Sequence, residues 1–152
     1  MNIIREACVG SVEQAMIAEK RKADRVELCS RLDLDGLTPD RNIIERTMNL
    51  LSIPVKVMIR PKSGNFIYSK QDILKMESEI DFCKKIGVSE VVFGILNENS
   101  EVDIELTSAI AKKAAPMDIT FHKAIDHVND IKYGLERLSN VKGVTSILTS
   151  GG

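Results

Sequence analysis

The residues able to do chemistry in this chain gather at the ends of short apolar runs. Glu6-Ala7-Cys8 and Glu27-Leu28-Cys29 repeat one pattern, Met58-Ile59-Arg60 ends another run, and Thr120-Phe121-His122 ends a fourth. Side chains on a strand alternate with period two, so Glu6 shares a face with Cys8, Glu27 with Cys29, Met58 with Arg60, and Thr120 with His122. If these faces point into a barrel, its upper rim gains two carboxylates, a guanidinium and an imidazole. Glu6, Glu27 and Arg60 then read either as a structural ion-pair network or as an arginine held by carboxylates to bind an anionic ligand group. His122 reads as a general acid or base, as a metal ligand, or as a structural histidine. Cys8 and Cys29, with Met58 nearby, suit a soft ion such as Cu(I), although unpaired cysteines also behave as small buried hydrophobes. Cys83 falls on a helix stripe and reads as core.

Two loops add candidate anion contacts. Arg60-Pro61-Lys62-Ser63-Gly64-Asn65-Phe66 is basic and contains glycine, and Thr149-Ser150-Gly151-Gly152 also follows a strand. Backbone N–H groups and hydroxyls in such loops can meet phosphate or carboxylate. Arg60, Lys62, Ser63, Gly64, Lys123, Thr149, Ser150 and Gly151 form the candidate anion-binding set. Asp33-Leu34-Asp35-Gly36 has part of a calcium-loop pattern but lacks the remaining ligands, and reads as a turn.

The elements that position these groups follow from periodicity. Strand-like runs at 3–9, 25–29, 55–60, 90–96, 119–122 and 145–149 alternate with amphipathic stretches, at the spacing of β-strand, crossover helix and loops. Ser11 is a candidate N-cap for the first helix, Thr38-Pro39 opens the second, and Ser69 caps the third. In the third, Ile73, Met76, Ile80 and Cys83 form the buried stripe and Gly87 ends it. The fourth spans about 103–115 and the fifth about 130–138. Alternating βα units predict a parallel sheet. Polar residues at alternate strand positions favour a barrel over a doubly wound sheet, whose strands are apolar on both faces. The expected fold is α/β, a TIM (β/α)8-type barrel, incomplete here with about six parallel strands and five outer helices, as a single domain over 1–152.

Composition narrows the classes. The 152 residues carry a net charge of −1, which gives no basic excess for nucleic acid. No apolar run approaches the ~18 residues of a membrane span, and the N-terminus lacks a signal-peptide shape. Three cysteines, an odd number, argue against a disulfide framework and for a reducing cytoplasm.

The motifs together resemble the CutC family, described as copper homeostasis proteins. The matching stretches are Glu6-Ala7-Cys8-Val9, Ala23-Asp24-Arg25-Val26-Glu27-Leu28-Cys29, Gly36-Leu37-Thr38-Pro39, the run from Val57 through Arg60-Pro61-Lys62-Ser63-Gly64-Asn65-Phe66 to Ser69, Val92-Phe93-Gly94-Ile95-Leu96, Thr120-Phe121-His122-Lys123-Ala124-Ile125-Asp126 and Ile147-Leu148-Thr149-Ser150-Gly151-Gly152. The resemblance implies a TIM barrel, a cytosolic protein linked to copper tolerance, and Cys8 and Cys29 as Cu(I) ligands. Lys62 and Lys123 stand where the family has arginine, which keeps the charge but loses the bidentate fork.

Three functions are thus expected to compete. One is Cu(I) handling through Cys8 and Cys29. A second is a barrel enzyme on a small anionic, phosphorylated or carboxylated metabolite, with Glu6 or Glu27 as base, His122 as acid or electrophile and Arg60 as anion clamp. A third is a barrel fragment without activity. The residues favour the second, and the resemblance implies the first. Eight βα units need ~225 residues, so the chain reads as about two-thirds of a barrel. It is expected to be either a truncated or proteolysed product, or an oligomer, expected to be a homo-oligomer, that covers the free strand edges.

Overall fold

The computed structural model of the chain describes residues 3–151. Met1, Asn2 and Gly152, used above for the chain start and the last loop, lie outside them. Six short strands alternate with five helices: β1 (Glu6–Val9), α1 (Val12–Lys20), β2 (Arg25–Leu28), α2 (Arg41–Leu50), β3 (Val55–Met58), α3 (Lys70–Lys85), β4 (Glu90–Phe93), α4 (Ile104–Ala114), β5 (Asp118–Phe121), α5 (Ile131–Leu138) and β6 (Val144–Ile147). All pairings are parallel, in the sequential order β1-β2-β3-β4-β5-β6. A doubly wound sheet must reverse its strand order at a switch point. This one never does, so it is an open arc of a TIM barrel.

Helix boundaries follow local chemistry. Ser11 accepts from Gln14 N and caps α1. Ser69 and Asp72 form a reciprocal capping box on α3. At the other end of α3, Gly87 has φ +83. Its N–H bonds Lys84 O while Val88 N bonds Cys83 O, a Schellman closure that needs a left-handed residue. The Thr38-Pro39 opening of α2 is corrected. The helix starts at Arg41 after Asp40, because Thr38 is committed to Arg60, just past β3: its N–H bonds Arg60 O and its hydroxyl accepts from Arg60 N.

Alternate strand residues divide between two environments. Val26, Leu28, Val57, Ile59, Val91, Phe93 and Ile119 face the helices and pack with Ile44, Met76, Ile80, Cys83 and Ile110 in the main core. Each such side chain contributes about 1.5–3 kcal/mol relative to exposure. Burial also pushes the Cys83 thiol up to about 12, so it stays protonated core. The other set faces the lumen, where Cys29, Met58 and Val92 pack together.

Candidate functional site

The lumen-facing residues form two storeys. The lower is an ion-pair layer. Lys56 is buried on β3, with its ammonium 3.1 Å from Glu6, 2.8 Å from Glu90 and 2.9 Å from the Thr120 hydroxyl. Arg25 pairs with Glu6 from the side, and Thr120 meets the Ser146 hydroxyl at 2.6 Å. A buried ammonium is tolerated when it is paired in this way. This layer corrects two expectations. Glu6 sits below the rim, held by Arg25 and Lys56, and Lys56 rather than Arg60 is the cation between the carboxylates. Lys56 lies two residues before Met58, so the alternation that turns Met58 inward already marked it.

Above this floor opens a cavity of about 600 Å³, lined by Cys8, Glu27, Met58, Arg60, Phe66, His122, Lys123, Asp126 and Ser150 among others. It therefore gathers residues from strand ends spread between β1 and β6.

At one part of the wall stands Cys8, with its sulfur 3.8 Å from that of Cys29, which is buried behind it. Glu27 Oε1 is 3.7 Å from Cys8 Sγ and 3.6 Å from Cys29 Sγ, and accepts from both thiols. The three ligand atoms lie within 4.8 Å of one another. Register makes the trio: Cys8 pairs with Glu27 across β1 and β2, and Cys29 follows Glu27 on the same face. The contact with the Cys29 thiol lowers the Cys8 pKa. That contact, burial and the Glu27 charge push Cys29 far up. Burial, and then Glu6, raise the Glu27 carboxyl. All three cysteines are free thiols.

Elsewhere on the wall stand Arg60 and His122, which are 4% and 3% exposed. The Arg60 guanidinium donates to Leu34 O at 2.9 Å, Gly36 O at 3.1 Å and Gly64 O at 3.0 Å, and stacks 4.9 Å over the Phe66 ring. The glycine loop after β3 thus offers Arg60 its Gly64 carbonyl, and the turn after β2 offers the other two, rather than offering N–H groups to an anion. Ser63 is exposed, and Lys62 reaches Asn65 Oδ1 and the Tyr68 ring. Neither lines the cavity.

His122 Nδ1 accepts from Ala124 N at 3.2 Å, which assigns the ring proton to Nε2. Its ring packs 5.0 Å from Phe66. Burial, then the Arg60 charge, push His122 down to about 3, so it is neutral at physiological pH. The ring fits because residue 94 is glycine: a Cβ there would lie 2.5 Å from His122 Nδ1.

The last loop already holds an oxyanion, which is its own. Asp126 accepts from the hydroxyls of Thr149 and Ser150 and from Ser150 N, while Gly151 N bonds Thr149 Oγ1. The donors expected to cradle a ligand at Thr149 and Ser150 are spent on Asp126, and that of Gly151 on the Thr149 hydroxyl, so the cradle is filled from within. Lys123 is exposed at the cavity wall. Asp33 pairs with Arg31 in the turn before Gly36, as expected of a turn and not of a calcium loop.

No helix among the described residues is long and apolar enough to cross a membrane. Among known proteins, a CutC of Streptococcus agalactiae superposes with a TM-score of 0.93 at 31% identity, over 99% of this chain and 74% of that one. Dihydrodipicolinate synthase of Agrobacterium tumefaciens shares only the barrel fold, at TM-score 0.69 and 10% identity. The human copper homeostasis protein cutC homolog is 41% identical over 97% of this chain and 54% of its own length. A family protein CutC of Histophilus somni is 39% identical over 96% of this chain and 60% of its own length. The chain thus spans about 60% of the length of the relatives it matches. Residues 3–152 match the CutC family throughout, and the chain belongs to that family.

Proposed function

We propose that the chain handles Cu(I) as cargo in the cytosol, taking it at the Cys8–Cys29 pair. The observation that carries this reading is the 3.8 Å separation of two sulfurs, Cys8 at the cavity wall and Cys29 buried behind it. One ion at a metal–sulfur distance of about 2.3 Å can touch both. Thiolate and thioether donors select Cu(I) over hard cations. Met58, buried against Cys29, supplies a third soft donor within the same group. Glu27 accepts from both thiols and is the local base through which their protons leave as metal enters. The names of the human and mouse relatives, both copper homeostasis protein homologs, support the same reading. An acid/base enzyme is less well supported, because Glu6 is tied into the ion-pair floor.

Anaerobic Cu(I) titration against a competing chromophoric chelator tests the proposal. Wild type should compete for one equivalent, and Cys8→Ala/Cys29→Ala should lose at least about a hundredfold in affinity, since losing only an outer-shell partner already costs about 10–100-fold. Equal competition by both proteins refutes it.

A further inference from the structure

A bare ion accounts for the sulfur corner of the cavity and leaves the rest unexplained. About 600 Å³ is the size of a site for a small organic ligand. Arg60 is 4% exposed, yet no carboxylate lies within ion-pairing distance of it among the described residues. Three carbonyls orient its guanidinium but carry no net charge, so a buried cation is left without its counter-ion. Among the described residues its Nε has no hydrogen-bond partner of good geometry, the Tyr68 hydroxyl near the guanidinium being likewise unbonded. His122, 3% exposed, carries a second orphan: among the described residues Nε2 also has no partner. Because Nδ1 is the acceptor for Ala124 N, this orphan is an N–H donor. Buried donors left unmade cost about 1–3 kcal/mol each, and a native site that tolerates two beside an unpaired cation points to a missing acceptor.

We propose that the Arg60–His122 side of the cavity binds the oxyanion group of a small metabolite, a carboxylate or phosphate. Its charge answers Arg60 and one oxygen accepts from His122 Nε2–H. Phe66 stacks on both residues and fixes their relative placement. Lys123 adds a second cation at the wall. The acidic side chains of the cavity do not compete for the same donors: Asp126 serves the last loop, Glu27 serves the two thiols, and Asp35 is exposed and forms no ion pair with Arg60 among the described residues. The neutral imidazole acts as a fixed donor here, as neutral donors do where an oxyanion is held without proton transfer. This site is independent of the cysteine pair.

The test is side-chain ¹⁵N NMR of histidine-labelled full chain, titrated separately with inorganic phosphate and with malonate. Either probe should saturate by about 10 mM and move the His122 Nε2–H resonance, and the more potent one names the group. His122→Asn, which removes the donor, should weaken that binding about tenfold or more, while His122→Gln, whose amide reaches the Nε2 position, should retain most of it. Cys8→Ala/Cys29→Ala should bind as wild type, so that loss of copper binding and loss of oxyanion binding are read separately. If neither probe moves the wild-type His122 resonance, or if folded His122→Asn binds as wild type, the site is refuted. The wild-type titration decides the matter even if a variant fails to fold.

Discussion

His122 makes the stability of this chain depend on pH over a defined window. In the unfolded chain an imidazole titrates near 6.5, and in the fold burial and the neighbouring Arg60 charge hold it down to about 3. Between these values the unfolded state binds a proton that the folded state refuses. Stability is therefore fully present above about 6.5 and is lost as pH falls toward 3. Each unit of the gap is worth ~1.4 kcal/mol, so the whole contribution is roughly 4–5 kcal/mol. Going from about pH 7 to about pH 5 removes close to 2 kcal/mol, and for a domain of this size that lowers Tm by about 4–8 °C. Glu27 acts in the opposite sense, since a raised carboxyl stabilises the fold in acid and loses that effect as pH rises through its folded value. Asp24, Asp33 and Asp72 are lowered by bonds from Arg5, Arg31 and Ser69 respectively. They contribute above the ordinary carboxylate value and lose effect only below about pH 4. These terms are common to wild type and His122→Gln, so comparing the two isolates the histidine. Urea unfolding of both proteins at the two pH values measures it. Wild type should lose about 2 kcal/mol more than the variant between pH 7 and 5. Equal losses would show that His122 is not buried as a neutral donor.

Three further perturbations probe the architecture. Gly94→Ala places a Cβ 2.5 Å from His122 Nδ1 and 2.9 Å from Ala124 Cβ. Overpacking together with loss of the Ala124 bond should cost about 2–4 kcal/mol by urea unfolding, and a change below about 0.5 kcal/mol would contradict the close packing. Lys56→Met leaves Glu6 and Glu90 facing each other without their cation and should destabilise by about 3–5 kcal/mol, with partial recovery in Glu90→Gln/Lys56→Met. Among the described residues β1 and β6 are each paired along one edge only, so light scattering should give a mass above that of the monomer, and a monodisperse monomer would count against edge association.

The strand run and its two faces were legible because periodicity is a property of the backbone. Glu6-Ala7-Cys8 and Glu27-Leu28-Cys29 needed only alternation and parallel pairing to place Cys8, Glu27 and Cys29 together. Partnership was not legible in the same way. Residue type says that Arg60 can bind anions, yet it cannot say that the carbonyls of Leu34, Gly36 and Gly64 would orient it, because carbonyls have no side-chain signature. The same limit reversed the last loop, whose donors met Asp126 from an earlier turn. Lys56 was legible from its parity with Met58, but a lysine inside an apolar run is recognisable as a lumen residue only once two carboxylates face it.

The two storeys of the lumen use the same kinds of residue and differ in whether those residues satisfy one another. In the lower one, Lys56 meets Glu6, Glu90 and Thr120, Arg25 meets Glu6, and Ser146 closes on Thr120. Such a layer holds strands in register and has nothing left to offer a ligand. One residue pair higher, where the strands end and the loops begin, the accounts stay open. Among the described residues two thiols share one carboxylate, a guanidinium lacks a counter-ion and an imidazole N–H lacks an acceptor. Leaving such groups unmet costs stability, and a fold tolerates that cost where a bound species restores it. The boundary between scaffold and site therefore runs through the barrel between Glu6 and Cys8 on β1, and between Lys56 and Met58 on β3. Residues below it should be read by unfolding free energy and residues above it by ligand affinity.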